Sequence, residues 1–161
     1  MIILGDSREE LKKIENGSID LTVTSPPYDG IRDYNGAEWN LAIFREIADE
    51  LYRVTKKGGV VVWIVADQTI NGSETGTSFK QALYFMDIGF RLHDTMIYLK
   101  RNPVPLTHRR QEQAFEYMFV LSKGRPKTFN GRMEECKRAG DRTDGRTFYQ
   151  RAKDNVPTLA N

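Results

Sequence analysis

Ser25, Pro26, Pro27 and Tyr28 are the residues whose types and spacing best fit a chemical task. They follow an apolar run, Ile19–Thr24, that reads as a buried strand. Neither proline can donate a ladder hydrogen bond, so strand pairing stops there. Both prolines also fix the backbone. A small hydroxyl before them and an aromatic ring after them are thus held rigidly at a strand's carboxyl end. Open α/β sheets bind ligands at that edge. An isolated Pro-Pro would mean only a stiff turn with an exposed tyrosine, so the rest of the chain has to discriminate between a turn and a pocket.

The elements that would position this stretch can be read in order. Residues 1–4 form a short apolar run expected to be a strand. Asp6 and Ser7 can each cap a following helix, with Glu9 or Glu10 closing a capping box. Ile19–Thr24 is the second strand, and residues 25–40 form a loop long enough to be functional. Leu41–Val54 has core spacing at Phe44, Ile47, Ala48, Leu51 and Tyr52. Lys56-Lys57-Gly58-Gly59 should break that helix. Residues 60–66 are uninterrupted apolar, as in a strand buried on both faces. Residues 67–77 read as a polar loop, and residues 78–86 as a helix with Ser78 and Gln81 as its capping box. Strands are expected at 90–99 and 114–121, closely coupled and so antiparallel to each other. The expected class is α/β, with a compact unit over residues 1–123 and a basic extension over 124–161.

Composition narrows the function. The two histidines, His93 and His108, and the single cysteine, Cys136, are too few for a metal cluster. A lone cysteine allows no internal disulfide and fits a reducing, cytoplasmic setting. The longest apolar run is far short of a membrane span, and the first residues lack the pattern of a signal peptide. Charge is divided unevenly. Residues 1–99 hold 10 Lys and Arg against 15 Asp and Glu, whereas residues 100–161 hold 14 against 7. A basic half beside an acidic one points to a polyanion such as nucleic acid, although a solvated basic tail would have the same composition.

Ser25-Pro26-Pro27-Tyr28 resembles the catalytic motif of the DNA amino-methyltransferases, which methylate cytosine N4 or adenine N6 from S-adenosylmethionine. The match to the permuted, β-class subgroup extends to Ile3-Leu4-Gly5-Asp6-Ser7, Ser18-Ile19-Asp20-Leu21, residues 53–59, residues 90–105 and Glu116-Tyr117 to Lys123. The resemblance implies a partial Rossmann-like methyltransferase sheet, mostly parallel with one antiparallel strand. It also implies a chemistry. An exocyclic amine is a poor nucleophile because its lone pair is delocalised into the ring. Ser25 Oγ and the Pro26 carbonyl would accept its hydrogens and localise the lone pair, Pro27 would hold the turn, and Tyr28 would stack on the extruded base. Asp6 and Thr24 become candidate cofactor contacts. Lys100, Arg101, Arg109, Arg110, Lys127 and Arg132 become candidate contacts to double-stranded DNA. Serine in the first position favours cytosine-N4 over adenine-N6.

The sequence departs from the subgroup in one respect. The subgroup's cofactor motif, Phe-x-Gly-x-Gly, is absent, and residues 71–76 lack its spacing. The strands that go with it would lie between the first strand and Ile19–Thr24. Without them Ile19–Thr24 should present an unpaired apolar edge. The chain is therefore expected to be a fragment, to pair that edge with a second copy or a complementing subunit, or to have rearranged. The alternatives to a DNA amino-methyltransferase are a non-catalytic DNA-binding or partner subunit that keeps the base pocket, or an enzyme methylating RNA bases or a protein glutamine.

Overall fold

A computed structural model describes residues 2–28, 38–101, 111, 113–128 and 130. The chain divides into two compact units, Met1–Phe129 and Asn130–Asn161, and every described element lies in the first. The elements in order are α1 (Ser7–Lys12), β1 (Ile19–Thr24), α2 (Leu41–Val54), β2 (Thr55–Val65), β3 (Thr69–Ile70), β4 (Ser73–Glu74), α3 (Thr77–Asp87), β5 (Arg91–Leu99) and β6 (Phe115–Ser122). No helix among the described residues is long and apolar enough to cross a membrane.

Four strands form one sheet in the order β1-β2-β6-β5. β1 pairs parallel to β2, and β6 pairs antiparallel to both β2 and β5. Three strands therefore run one way and β6 runs against them, as the resemblance implied. The consequence is geometric. The carboxyl ends of β1, β2 and β5 and the amino end of β6 all lie at the same sheet edge.

The core forms where α2 and α3 cover one face of this sheet. Phe44 of α2, Trp63 of β2 and Phe85 of α3 meet with ring centroids 5.2–5.7 Å apart. Phe119 and Leu121 of β6 complete the cluster. α2 begins at Asn40, whose side chain accepts from the backbone N–H groups of Ala42 and Ile43 at 2.9 and 3.0 Å, a strong N-cap. Its inner residues Phe44, Ala48 and Leu51 are buried at the expected helical spacing, with Ile47 and Tyr52 packed beside them. Arg53, near its end, ties α1 down by donating to the carbonyls of Leu11 and Ile14 at 2.7 and 2.8 Å.

The structure differs from the sequence reading in several elements. Residues 2–4 are not a strand, and Ile2 and Leu4 are almost fully exposed. They have no neighbour to pair with, because among the described residues β1 pairs only with β2. The capping box at Asp6 is half formed. Asp6 caps α1, but Glu9 bonds Lys12 at 2.9 Å rather than reaching back. The helix ends before Lys56-Lys57-Gly58-Gly59 as expected, but these residues already belong to β2, which starts earlier than residue 60. A side chain at Gly59 would meet the Ile19 and Asp20 carbonyls at 3.0 Å, so the glycine lets β1 approach. The loop over residues 67–77 contains the β3–β4 hairpin, turned by Asn71 and Gly72 at φ 50° and 79°, the two left-handed residues a tight hairpin needs.

β2 also differs from its expected burial on both faces. Val61, Trp63 and Val65 are buried, but Val60, Val62 and Ile64 are only half-buried. Across the sheet their face continues into Val23 of β1 and Met118 of β6, and Val23 is 60% exposed. Among the described residues this second face is apolar and open.

Ser78 and Gln81 are not a capping box. Gly76, the N-cap of α3, has no side chain to cap it, and Ser78 is buried in the first turn, donating its backbone N–H to Asp67 Oδ1 at 2.9 Å. Gln81 is buried too and accepts from Trp63 Nε1 at 2.8 Å. Its carbonyl oxygen is thus the partner that makes a buried indole N–H tolerable. Replacing it by an apolar residue of similar size strands that donor. We expect Gln81→Leu to lower the free energy of unfolding by about 1–3 kcal/mol, read as a shift in urea midpoint at unchanged m-value.

Candidate active site

Ser25, Pro26, Pro27 and Tyr28 follow β1 at the edge where the three co-directional strands end. Pro26 is buried, Pro27 and Tyr28 are half-buried, and Ser25 is exposed. Tyr28 packs against the core cluster. The anchored turn thus leaves the serine hydroxyl facing out. Thr24, the last residue of β1, is half-buried and pairs with Trp63.

A chain of hydrogen bonds runs across the edge from this turn. Ser25 Oγ and Tyr28 Oη lie 2.6 Å apart. Tyr28 Oη donates to Glu116 Oε2 at 2.8 Å. Lys100 Nζ lies 2.8 Å from Glu116 Oε1. Glu116 is the second residue of β6, and Lys100 directly follows β5 and bonds back to the Ala114 carbonyl through its own N–H at 2.8 Å. The Glu116 side chain is only 14% exposed. A carboxylate so enclosed requires partners, and it has one on each oxygen. Sequence reading placed Glu116 in a segment resembling the subgroup but gave it no role in the site. The available signal was a single acid within the otherwise uncharged strand Phe115–Ser122.

Pro27 also borders a groove of about 540 Å³. Asp6, Ser7, Arg8, Glu38, Trp39, Ile43 and Ile47 line it. Asp6 accepts from the Arg8 backbone N–H at 2.9 Å and from its guanidinium at 2.7 Å. These hydrogen bonds from Arg8 hold the Asp6 carboxyl well below its usual value of 3.8, at about 2. Trp39, Ile43 and Ile47 supply apolar walls. Trp39 and Glu38 were not singled out in the sequence, because nothing in their spacing marks them. They reach the groove only because Asn40 starts α2 beside it.

The candidate DNA contacts are separated. Lys100 extends its ammonium into the site, towards Glu116. Arg101 is exposed next to it. Lys127 is at the opposite edge, bonding the Gly58 carbonyl through its N–H at 3.2 Å, near the start of β2. Arg109, Arg110 and Arg132 lie outside the described residues, as do the loop over 102–105 and Cys136.

Sheet order and strand directions are those of a Rossmann-like methyltransferase fold. The chain belongs to the DNA methylase family of N6 and N4 type, whose pattern matches residues 19–156. It is 60% identical over 119 residues to the orphan methyltransferase M.BamHII of Bacillus amyloliquefaciens, covering 74% of this chain and 44% of that protein. It is 28% identical over 163 residues to the type II methyltransferase M.SmaI of Serratia marcescens, covering 77% and 56%. Among solved structures, the cytosine-N4-specific PvuII DNA methyltransferase superposes with a TM-score of 0.61 at 22% identity, over 76% of this chain and 49% of that one. The M1.HpyAVI–SAM complex superposes with a TM-score of 0.61 at 22% identity, over 84% and 60%. The chain spans about half the length of the curated relatives it matches.

The Asp6 geometry makes a checkable statement about pH. A carboxyl whose folded value is depressed contributes stability above its unfolded value, and that contribution is lost as pH falls through the folded one. The Asp6 cap should therefore persist from neutral pH down through the ordinary carboxylate range. We expect the Asp6 carboxyl carbon signal in NMR to titrate with a midpoint at about 2, and Arg8→Ala to move that midpoint upward.

Proposed function

We propose that this chain carries the base-binding and catalytic part of a DNA methyltransferase that transfers a methyl group from S-adenosylmethionine to an exocyclic base amine, cytosine N4 in preference to adenine N6. The observation that carries the reading is Ser25 Oγ, exposed at the sheet's ligand edge on a turn clamped by two prolines and backed by Tyr28. Family membership supports the reaction class. The serine in first position, and the likeness to the cytosine-N4-specific PvuII enzyme, support the choice of base.

In this reading Ser25 Oγ and the Pro26 carbonyl accept the two amine hydrogens. The nitrogen then moves towards tetrahedral geometry and its lone pair becomes available for attack. Tyr28 offers a ring on which the extruded base stacks. Positioning and electrostatics account for most of the acceleration in such a transfer. The groove beside Pro27 suits a planar heteroaromatic amine. Trp39 and Ile43 would flank such a group, and the Asp6 and Glu38 carboxylates would accept from it. S-adenosylmethionine, when bound, supplies an electrophilic methyl group. Of the two proposed cofactor contacts, Asp6 lines that groove, whereas Thr24 lies three residues before Pro27 and does not line it. Lys100, Arg101, Arg109, Arg110, Lys127 and Arg132 are the proposed cations for double-stranded DNA.

A second reading is favoured by the open side of the sheet. Among the described residues β1 pairs on one side only, and Leu21 and Val23 are 58% and 60% exposed. In this reading the chain acts with a second copy or a complementing subunit along β1, and by itself binds DNA without turnover.

Incubation of the full chain with methyl-labelled S-adenosylmethionine and unmethylated genomic DNA, followed by digestion and chromatography, identifies the product. We expect N4-methylcytosine, with Ser25→Ala reducing turnover roughly 10²–10³-fold and the fold unchanged. N6-methyladenine would overturn the choice of base. Absence of heat on titration with S-adenosylmethionine would favour the partner reading. DNA affinity should also fall steeply with salt, with a slope in log–log form of about 0.9 for each phosphate contacted. Lys100→Ala paired with Arg101→Ala should make that slope shallower.

A further inference from the structure

The hydrogen-bond chain at the sheet edge has a direction, and the direction follows from counting hydrogens. The Lys100 ammonium faces Glu116 Oε1 at 2.8 Å. Glu116 Oε2 accepts from Tyr28 at 2.8 Å. Both carboxylate oxygens are therefore acceptors. Tyr28 has a single hydroxyl hydrogen, and Glu116 takes it. The 2.6 Å contact between Tyr28 Oη and Ser25 Oγ can then be made only with the serine's hydrogen. Ser25 keeps its lone pairs and has no hydrogen left to offer.

A serine hydroxyl is ordinarily both donor and acceptor. Alone at a binding edge it would receive a ring carbonyl as readily as a ring amine. We propose that Glu116, held by Lys100, is a positioning residue that turns Ser25 into an obligate acceptor, so that the site admits an exocyclic amine and refuses a carbonyl at the same ring position. The inference rests on the proposed function for its substrate, and it extends that function by assigning amine-over-carbonyl selectivity. A cytosine would satisfy Ser25 through its N4 hydrogens. A uracil or thymine would bring O4 against the Ser25 lone pairs, leaving two acceptors facing each other without a hydrogen between them. Unpaired polar groups in a closed site are the strongest source of discrimination between otherwise similar ligands. The same polarity serves catalysis, since only an acceptor can draw the amine hydrogens out of the ring plane.

The arrangement also explains a carboxylate in this place. A neutral acceptor at position 116 that also carried N–H groups could turn round and donate to Tyr28. Tyr28 would then donate to Ser25, and Ser25 would point its hydrogen outward. Only an acceptor without hydrogens fixes one direction, and Lys100 satisfies its remaining oxygen.

Two measurements on the full chain test this. Neutron diffraction from perdeuterated crystals locates hydroxyl deuterons directly. We expect the Ser25 deuteron on the line to Tyr28 and the Tyr28 deuteron on the line to Glu116. A Ser25 deuteron directed away from Tyr28 overturns the proposal whether or not the chain is active. In the methylation assay, Glu116→Gln and Tyr28→Phe should each lower kcat about ten- to a hundredfold, the range seen when a partner that orients a ligating residue is removed. KM for DNA should stay within about twofold, because the affected step is not DNA binding. The double variant should be no slower than the slower single one, because both break the same chain. Additive losses, or variants with wild-type kcat, overturn the proposal. A wild-type chain that transfers no methyl group, with the deuterons placed as stated, overturns the proposed function and supports the inference about Ser25.

Discussion

The pairing of β6 against β2 and β5 is the constraint on which the site depends. Because β6 runs opposite to its neighbours, its first residues stand where the others end. A parallel strand in that place would put Phe115 and Glu116 at the far edge, out of reach of Ser25 and Tyr28. The same pairing fixes the core. It sets Phe119 and Leu121 beside Trp63 and Val61 on the face that α2 and α3 cover. Core and site are thus two results of one register.

That register places a nearly enclosed carboxylate among polar side chains from three elements. Glu116 comes from β6, Tyr28 from the turn after β1, and Lys100 from the residue after β5. Each group is short of partners on its own, and together they are satisfied. The turn cannot drift, because Pro26 is buried and Tyr28 is held both at its ring and at its hydroxyl. A binding edge formed in this way is stiff before any ligand arrives, which is the condition for positioning to contribute to rate. The groove bordered by Pro27 shares the same anchor.

Among the described residues the sheet is covered on one face and open on the other. Trp63, Phe44 and Phe85 close the first. On the second, Val62 and Ile64 are half-buried, and the β1 edge carries Leu21 and Val23 into solvent. An apolar face of this kind, next to an unpaired strand edge, is a surface on which soluble proteins ordinarily place another layer.

Local pattern was enough for much of this. The bounds of Ile19–Thr24 and Leu41–Val54 were legible to the residue, because two prolines stop pairing just after Thr24 and core spacing runs through the helix, but the burial expected of Ile19–Thr24 was not, since none of its residues is buried. The antiparallel strand near residues 114–121 followed from its short distance to the one before. The first four residues misled, because an apolar run reads as a strand whether or not a partner strand exists. Ser78 and Gln81 misled in the same way. Their spacing is that of a cap, but burial against Asp67 and Trp63 assigns them to the core. The Asn71-Gly72 turn was visible in principle, and its two-residue strands were too short to show alternation.

What the sequence determined by itself was the turn: two prolines fix a hydroxyl and an aromatic at a strand end, and that is a matter of backbone chemistry within four residues. What only the tertiary structure decided is which way the hydroxyl points. Glu116 is 88 residues from Tyr28, and no local rule links them. They meet because one strand is inserted against the direction of its neighbours, and that choice is made by packing across the whole sheet.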